Sequence, residues 1–550
     1  MKKVLALVLA VVMLCSLAAC GNNANTETTS GGESANVKDT FVFAMGGQPE
    51  ILDPAIATDS VTAAPIQAIY FNLFNLDESG TPVPNAVESF EISDDGLVYT
   101  LKLVDGNKWS DGQEVKASDY EFGAKRSLGM GSALSYYSYF IKDYIVNAAQ
   151  YEGADVADMT DIGIVADDEA NTITYTLNAP CAYFTSLLTS NVFTAVRSDY
   201  ATEHESTWAD STDVPTNGAY YPTKLASNEE IILEKNPNFI YADKVVTNTP
   251  VLKTMEDMDA QLMAYQNGEI DMASSVDAGV VSSVYGDSAD LIKTNSVINY
   301  YVQMNSADWS SAPALADVRV RRALQLALNR EEIVAALDAG DAYYPLFGYV
   351  PKGMAGVDGD FREEADAAGA YVYYDVEEAK ALLAEAGYGL DNPLNLVYSY
   401  NSNTMHDTVA QVIQQQWAAI GVNVTFQTMD VQTFFAERDE NGNYELARGA
   451  MSADYMDPTT FLCMLITSAQ QKPVVTDEKY DSLIAEAEAT LDAAERLEKL
   501  HEAEKYLVEE MAYTIPVFGY STFYLLNPNV TGISYDPVGN IYLEYVSVTE

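Results

Sequence analysis

The segment from residue 394 to 428 constrains the fold more than any other part of this 550-residue chain. A strand pattern over Leu394–Tyr400 precedes a helical pattern over Thr404–Ile420, and a second strand pattern covers Val422–Thr428. Gly421 provides the stop between the helix and the second strand. Two strands joined by a helix form a βαβ unit, so the segment predicts an α/β fold with parallel strands.

Helical signals recur elsewhere in the chain. Asp317 and Asp375 each precede apolar residues at helical spacing, which predicts that their side chains cap helices. Ser118 or Asp119 is expected to cap an earlier helix. The region 478–510 is amphipathic and acidic, which indicates one packing helix or a pair of helices.

The first twenty residues have the three parts of an export signal. A basic start is followed by an apolar run from Val4 to Ala19, and Leu17-Ala-Ala-Cys20 fits the lipobox at which bacterial lipoproteins are lipidated. A membrane-spanning anchor is the alternative, but the run is shorter than the roughly 20 residues needed to cross a bilayer. We expect residues 1–19 to be a signal peptide, Cys20 to carry the lipid and residues 20–39 to be a flexible tether.

Composition excludes several classes of function. A formal net charge of −52 argues against nucleic acid and against a polybasic membrane patch, and it permits neutral or cationic small ligands. The length and the 48% hydrophobic content predict a large core and more than one domain. Cys181 and Cys463 have no metal-binding spacing, and two interpretations stay open: buried thiols or a single bridge.

Catalytic patterns are absent from the sequence. No HExxH, GxSxG, P-loop or CxxC motif occurs, and the three histidines, His204, His406 and His501, are far apart along the chain. We therefore expect a protein that is not an enzyme and that has no cofactor and no metal site.

Asp454 is the candidate ligand contact that the residues themselves suggest. It lies in the stretch 448–458 among small and aromatic neighbours, just after the βαβ unit and one further strand, where ligands gather in open α/β sheets. An aspartate in a partly dry place needs a positive or hydrogen-bonding partner. A turn or cap role beside Pro458 is the alternative interpretation.

Several short motifs follow one another in a set order after the lipoprotein start. They are Gln48-Pro-Glu-Ile-Leu-Asp-Pro54, Trp109-Ser-Asp-Gly112, Asn217-Gly-Ala-Tyr220, Asn267-Gly-Glu-Ile-Asp271, Asp317-Val-Arg-Val-Arg-Arg-Ala-Leu324, Ala379-Lys-Ala-Leu-Leu-Ala-Glu-Ala-Gly387 and Ala453-Asp-Tyr-Met-Asp-Pro458. Taken together, this series resembles the peptide/nickel family of solute-binding proteins that serve ABC importers, and within it the oligopeptide-binding receptors. The resemblance covers nearly everything after the tether.

The resemblance implies a two-lobed α/β fold of the periplasmic-binding-protein type, with an extra domain inserted in the first lobe and hinge closure over a ligand cleft. The chain is expected to cross between lobes near residues 300 and 514. The implied partition is first lobe 40–60, extra domain 61–197, first lobe again 198–299, second lobe 300–514 and first lobe again 515–550.

The resemblance also implies roles for individual residues. Asp454 matches the aspartate that pairs with the α-ammonium group of a peptide, Arg448 lies near the far end of the peptide, and His406 can approach its C-terminal carboxylate. The remaining implied ligand contacts are backbone groups of both lobes, a tyrosine of the extra domain and two positions that are often aromatic in the family. They are Gly47, Gln48, Ala450, Met451 and Ser452 for the backbone, Tyr136 or Tyr139 for the tyrosine, and Met451 and Val431 for the aromatic positions.

The function implied is that of a monomeric lipoprotein on the outer face of the bacterial cell membrane. It captures oligopeptides and delivers them to membrane permease subunits and their ATPases, with no nucleic acid partner. Two alternatives stay open. One is the same scaffold binding dipeptides, a nickel chelate or another small solute, and the other is a secreted peptide-signal receptor or peptidase.

Overall fold

A computed structural model of the protein describes residues 37–49 and 51–549, apart from the side chains of residues 205–207. The predicted signal peptide, Cys20 and residues 20–36 of the predicted tether lie outside the described residues. None of the helices in the described ranges has both the length and the apolar character needed to span a membrane.

A mixed sheet of eleven strands runs through the molecule. Ten of them follow one another from edge to edge in the order Val422–Met429, Leu394–Asn401, Leu446–Ser452, Leu291–Met304, Thr514–Leu526, Met272–Ala273, Thr40–Met45, Thr249–Thr254, Glu230–Lys235 and Tyr220–Ala226, and Tyr343–Pro345 pairs additionally with Thr514–Leu526. The predicted βαβ unit is confirmed, because Leu394–Asn401 and Val422–Met429 pair in parallel and are joined by the helix Thr404–Ala418.

Smaller sheets flank this large one. A four-stranded antiparallel sheet orders Val87–Ile92, Val98–Leu103, Thr172–Thr176 and Ile164–Asp167. Three two-stranded sheets pair Phe74–Leu76 with Pro82–Pro84, Val530–Thr531 with Ser547–Val548, and Ser534–Tyr535 with Ile541–Tyr542.

Most of the α-helices begin at a side chain that caps the first turn. The α-helices are Ser60–Ile69, Ala117–Met130, Tyr139–Lys142, Phe184–Leu187, Ser198–His204, Met258–Gln266, Ala278–Tyr285, Val318–Leu326, Arg330–Ala336, Phe361–Ala367, Val376–Glu385, Thr404–Ala418, Val431–Phe435, Thr459–Leu462, Glu478–Glu488 and Ala493–Lys505. The last two show that the region 478–510 contains a pair of helices, one of the two predicted forms.

The predicted caps have mixed outcomes. Asp317 and Asp375 accept hydrogen bonds from the first turns of their helices, as expected. The prediction for the helix Ala117–Met130 is wrong, because Lys116 occupies the cap position. The Asp119 carboxylate instead reaches back to the backbone N–H of Lys116 at 3.0 Å, which is the arrangement of an acidic residue in the first turn.

Two long strands connect the halves of the large sheet. Leu291–Met304 and Thr514–Leu526 pair antiparallel along most of their lengths, with register shifts between Ser296 and Asn299 and again beside Tyr300. One buried core extends along residues 297–518, and another joins residues 41–252 to the end of the chain. The predicted crossings near 300 and 514 fall on these two strands; the hinge role and the domain boundaries stay predictions.

Candidate functional site

A cavity of about 690 Å³ lies beside the two long strands. Its walls come from the end of the strand Thr40–Met45, the start of the helix Ser60–Ile69 and the loop 536–540. Ser452, the last residue of the strand Leu446–Ser452, and the next two residues also contribute to them. Alternate residues of the long strands face it, because successive side chains of a strand point to opposite faces. These are Thr294, Ser296, Ile298, Thr522 and Tyr524.

Asp454 lines this cavity and is held in place through its backbone. Its N–H donates to the Thr460 hydroxyl at 3.1 Å, and the N–H of Ala453 donates to the Val297 carbonyl at 2.9 Å. The carboxylate accepts a hydrogen bond from the Tyr139 phenol at 2.9 Å. The carboxylate therefore has a defined position at the cavity wall.

The electrostatic environment of Asp454 is unusual for a carboxylate that is largely buried. Burial raises its pKa, and hydrogen bonds from the phenols of Tyr139 and Tyr137 oppose that rise. Within residues 37–49 and 51–549, no Lys, Arg or His side chain lies within salt-bridge distance of it. Asp454 therefore has hydrogen-bond donors but no positive charge beside it.

Asp457, three positions further on, has the opposite arrangement. Both of its oxygens accept hydrogen bonds from the Arg496 guanidinium, at 2.7 and 2.8 Å, and its Oδ1 also accepts from the Thr459 hydroxyl. The Arg496 guanidinium in turn lies over the Tyr183 ring, 4.8 Å from its centroid. Asp457 is a structural residue whose charge is already matched.

Three tyrosines approach Asp454 from the segment 136–139. The rings of Tyr136 and Tyr137 meet edge to face at 5.0 Å, and those of Tyr136 and Tyr139 at 5.9 Å. Tyr137 lines the cavity, whereas Tyr136, the residue predicted first, is 53% exposed and does not. Of the two predicted alternatives, Tyr139 is the one that contacts Asp454 directly.

Arg448 lies on the same face of its strand as Ser452, four positions away, which corresponds to about 13 Å along the strand. Its guanidinium donates to the Asn401 amide oxygen through Nε at 2.8 Å and also through Nη2. It stacks over the rings of Phe434 and Phe435, and its burial lowers its pKa. Arg448 is buried and does not line the cavity.

His406 is the other residue predicted to lie near the C-terminal end of a bound peptide. It lies in the first turn of the helix Thr404–Ala418, and its Nδ1 is 3.3 Å from the Tyr300 phenol oxygen. Burial, together with the Arg448 charge, lowers its pKa to about 4. The imidazole is therefore neutral near neutral pH, so it can donate a hydrogen bond to a carboxylate but cannot form an ion pair with it.

Only some of the residues predicted to contact the peptide through their backbone line the cavity. Ser452 and the neighbouring Gly46 line the cavity, whereas Gly47 and Gln48 do not. The Gln48 side chain accepts hydrogen bonds from the Asn228 N–H at 2.5 Å and from the Thr254 hydroxyl at 3.2 Å, and so ties its loop to neighbouring strands.

Three other predicted positions lie outside the cavity wall. Ala450 pairs with Tyr300 and Met451 with Asn299 across the strands, and both pack partly buried against the core of residues 297–518. Val431 is the first residue of the helix Val431–Phe435 and is 49% exposed.

Two further carboxylates line the cavity and were not predicted from the sequence, namely Asp59 and Asp536. Asp59 caps the helix Ser60–Ile69 by accepting from the Thr62 N–H at 2.8 Å, a role that its sequence context signals. Asp536 accepts from the N–H of Asn540 and from the Tyr542 phenol, both at 2.8 Å, and its burial raises its pKa to about 6. No local sequence pattern indicates that either of them lines the same cavity as Asp454.

The described residues contain no group of three or more His, Cys, Asp or Glu side chains arranged to hold a metal ion. Cys181 and Cys463 are both free thiols, the first buried and the second half-buried. Burial raises the pKa of each thiol.

Comparison with known proteins identifies the class to which this fold and cavity belong. The model of the bacterial extracellular solute-binding proteins, family 5 Middle, matches residues 81–473. The chain belongs to this family of solute-binding proteins.

Individual relatives match almost from end to end. The chain is 31% identical over 532 residues to the periplasmic oligopeptide-binding protein OppA of Escherichia coli (strain K12), covering 95% of each. It is 28% identical to the probable deoxycholate-binding periplasmic protein YgiS of the same organism, covering 91% of this chain and 92% of that protein.

Among solved structures, the MppA periplasmic murein tripeptide-binding protein in its unliganded open form superposes with a TM-score of 0.77. It is 25% identical and the match covers 94% of this chain and 99% of that one. This likeness confirms the predicted two-lobed α/β fold.

Proposed function

We propose that this chain is the peptide receptor of an ABC importer, capturing oligopeptides in the cavity and delivering them to permease subunits and their ATPases. Several relatives are named as peptide-binding proteins. The main support for the proposal is the environment of the Asp454 carboxylate. Asp454 lines the cavity, and its carboxylate accepts hydrogen bonds from phenols. No cationic side chain of the described residues lies within salt-bridge distance of it. The α-ammonium group of a peptide supplies the missing charge and three N–H donors.

Partial burial makes this pairing selective. A desolvated carboxylate gains most from a partner that matches both its charge and its hydrogen-bonding geometry, and an uncharged amide in the same place leaves the charge unmatched. A free peptide amino terminus is therefore the group that this wall of the cavity is suited to recognise.

The strand Leu446–Ser452 provides a track for the rest of the peptide. Main-chain hydrogen bonds to an extended peptide ignore side-chain identity, and in this proposal the backbone groups of Ala450 to Ser452 make them. Arg448 and His406 lie beyond the cavity on the same route. Because about 13 Å corresponds to roughly four extended residues, a peptide of about four or five residues would bring its carboxylate toward them.

Closure and anchoring complete the proposal. The lobes are the predicted ranges, with 61–197 as the extra domain, and they close about the long strands near residues 300 and 514. Cys20 carries the lipid that holds the receptor at the outer face of the cell membrane, and the receptor acts as a monomer without turning its ligand over.

Native mass spectrometry tests this function. Protein beginning after Cys20 is purified without unfolding, its bound masses are recorded, and defined peptides with free or N-acetylated termini are then added as competitors. The proposal expects a ladder of peptide masses that free-amine peptides displace and acetylated ones do not, with the added peptides recovered intact. A single non-peptide mass, or cleavage of the added peptide, would overturn it in favour of another solute or a peptidase.

A further inference from the structure

The charges that line the cavity have one sign. Its wall contains the three carboxylates Asp59, Asp454 and Asp536, and no Lys, Arg or His among the described residues contributes to it. Most other polar groups there are neutral hydroxyls and amides, such as Thr294, Ser296 and Asn540, which do not offset a negative field. A single α-ammonium group would match only one of the three carboxylates.

Asp536 differs from the other carboxylates whose residues are least exposed to solvent. Five aspartate and glutamate residues in the described ranges are less than one-tenth exposed to solvent, namely Asp53, Asp271, Asp457, Glu504 and Asp536. Four of them have a cationic partner: Arg126 at 2.6 Å, Lys38 at 3.5 Å, Arg496 at 2.7 Å and Arg362 at 2.5 Å, in that order. Asp536, only 3% exposed, has none.

The partners of Asp536 hold its carboxylate without neutralising it. Both oxygens accept hydrogen bonds from Asn540, and Oδ2 also accepts from the Tyr542 phenol at 2.8 Å. Desolvation is the largest influence on its pKa, which rises to about 6, so the group still carries charge at neutral pH. A buried charge is retained at least cost when a cation reaches it.

We propose that Asp536, assisted by Asp59, selects peptides that carry a Lys or Arg side chain close to their amino terminus. The ligand's second positive charge is matched there, while Asp454 takes its α-ammonium group. This specificity deepens the proposed peptide-receptor function and depends on it. A glutamate or aspartate in the same ligand position is rejected, since it adds a fourth negative charge to the cavity.

A related consequence concerns very short peptides. The carboxylate of a dipeptide bound at Asp454 would lie within this wall, whereas Arg448 is about 13 Å from Ser452 along the strand. Amidation of a dipeptide is therefore expected to tighten its binding. For a tetrapeptide, whose carboxylate extends toward Arg448, amidation is expected to weaken binding.

Calorimetry with matched tetrapeptides tests the proposal on the protein truncated after Cys20. An alanine tetrapeptide is compared with peptides that carry lysine, norleucine or glutamate at position one, two or three, because norleucine keeps the length of lysine without its charge. We expect lysine to bind on the order of tenfold more tightly than norleucine at one position or more, with glutamate the weakest. A lysine-to-norleucine ratio near one at all three positions would overturn the proposal.

Substitutions of single carboxylates show which residues cause the preference for lysine. Asp536→Asn is expected to bring the lysine-to-norleucine affinity ratio toward one. Asp59→Asn keeps the helix cap and is expected to lower this ratio partly. Asp308→Asn removes one charge from an exposed position outside the cavity and is the matched control, with an unchanged ratio. An equal fall in all three variants, or none in Asp536→Asn, would contradict the assignment.

Further measurements separate the remaining explanations. Repeating the series in about 0.5 M salt screens the field of the whole protein, whose net charge is −52, but leaves short-range pairing largely in place; loss of the lysine preference there would assign it to steering and overturn the proposal. Failure of every free-amine peptide to bind would instead overturn the proposed function itself. Thermal unfolding and norleucine-peptide binding show whether Asp536→Asn has kept its fold.

Discussion

The Tyr139 phenol donates a hydrogen bond of 2.9 Å to Oδ2 of Asp454, although the two residues are 315 positions apart in sequence. Tyr139 comes from the predicted extra domain and Asp454 from the predicted second lobe. The Tyr183 and Tyr455 rings stack beside this bond, with centroids 5.2 Å apart and planes within 4°. The proposed ammonium site is thus assembled at a contact between segments that are distant in sequence.

Asp454 and Asp457 are expected to respond differently to the same substitution. Asp457→Asn leaves the buried Arg496 guanidinium without its carboxylate, so we expect a loss of about 3–5 kcal/mol in the free energy of unfolding. Asp454→Asn removes a desolvated charge that has no cation, so stability is expected to stay the same or to rise. Chemical denaturation of both variants measures this contrast, and a larger loss for Asp454→Asn would contradict the roles assigned here.

The Tyr139 phenol is expected to set the pH range of peptide binding. The bound ammonium group requires an ionised Asp454, so affinity should fall as the pH drops through the raised pKa of this carboxyl. Tyr139→Phe removes a donor that lowers that pKa and keeps the ring packed 4.5 Å from Phe140. The acidic limb of the affinity profile is expected to move up by on the order of one pH unit.

Calorimetric titrations from pH 4 to 7 measure this shift. Tyr136→Phe is the matched control, because the ring of Tyr136 packs on Tyr139 while no hydrogen bond joins its phenol to Asp454. Identical profiles for wild type and Tyr139→Phe would show that the phenol does not influence the anchor.

His406 is expected to be uncharged under physiological conditions. Burial and the Arg448 charge lower its pKa to about 4, below the value of about 6.5 for a histidine in an unfolded chain. Because the folded-state pKa is lowered, the stability linked to this residue is full above about pH 6.5 and is lost as the pH falls toward 4. NMR titration of the His406 ring, assigned with His406→Gln, measures the midpoint; a value of 6.5 or above would contradict the buried environment.

Arg448 is expected to sense the carboxylate of a tetrapeptide. Amidation of that carboxylate should weaken binding to the wild type by on the order of tenfold, because a charge-assisted hydrogen bond is lost. Arg448→Met keeps contact with the Phe434 and Phe435 rings and should bind both forms equally. A persisting preference for the free carboxylate in this variant would place the C-terminal contact elsewhere.

Local patterns predicted much of the fold. The unit from 394 to 429 was predictable because hydrophobic periodicity and a glycine stop act within one segment. The error at Lys116 has a local cause as well: an acidic residue in the first turn and a true cap have nearly the same sequence signature.

The site was less predictable, because its members meet only through tertiary packing. Asp454 stood out among small neighbours beside a strand end, whereas Asp536 resembles a turn residue and Asp59 a helix cap, which each of them also is. The partner that neutralises Asp457 lies 39 positions away, so the sequence could not show which aspartate of the motif was already paired.

The central claim is that Asp454 binds a free peptide amino terminus. Its most direct test is a double comparison by calorimetry, in which a tetrapeptide and its N-acetylated form are each titrated into wild-type protein and Asp454→Asn. We expect acetylation to weaken wild-type binding by on the order of a hundredfold or more, and we expect the variant to bind both forms with similar low affinity. Equal affinity of the wild type for both forms, or an undiminished preference in Asp454→Asn, would show that Asp454 does not bind the amino terminus.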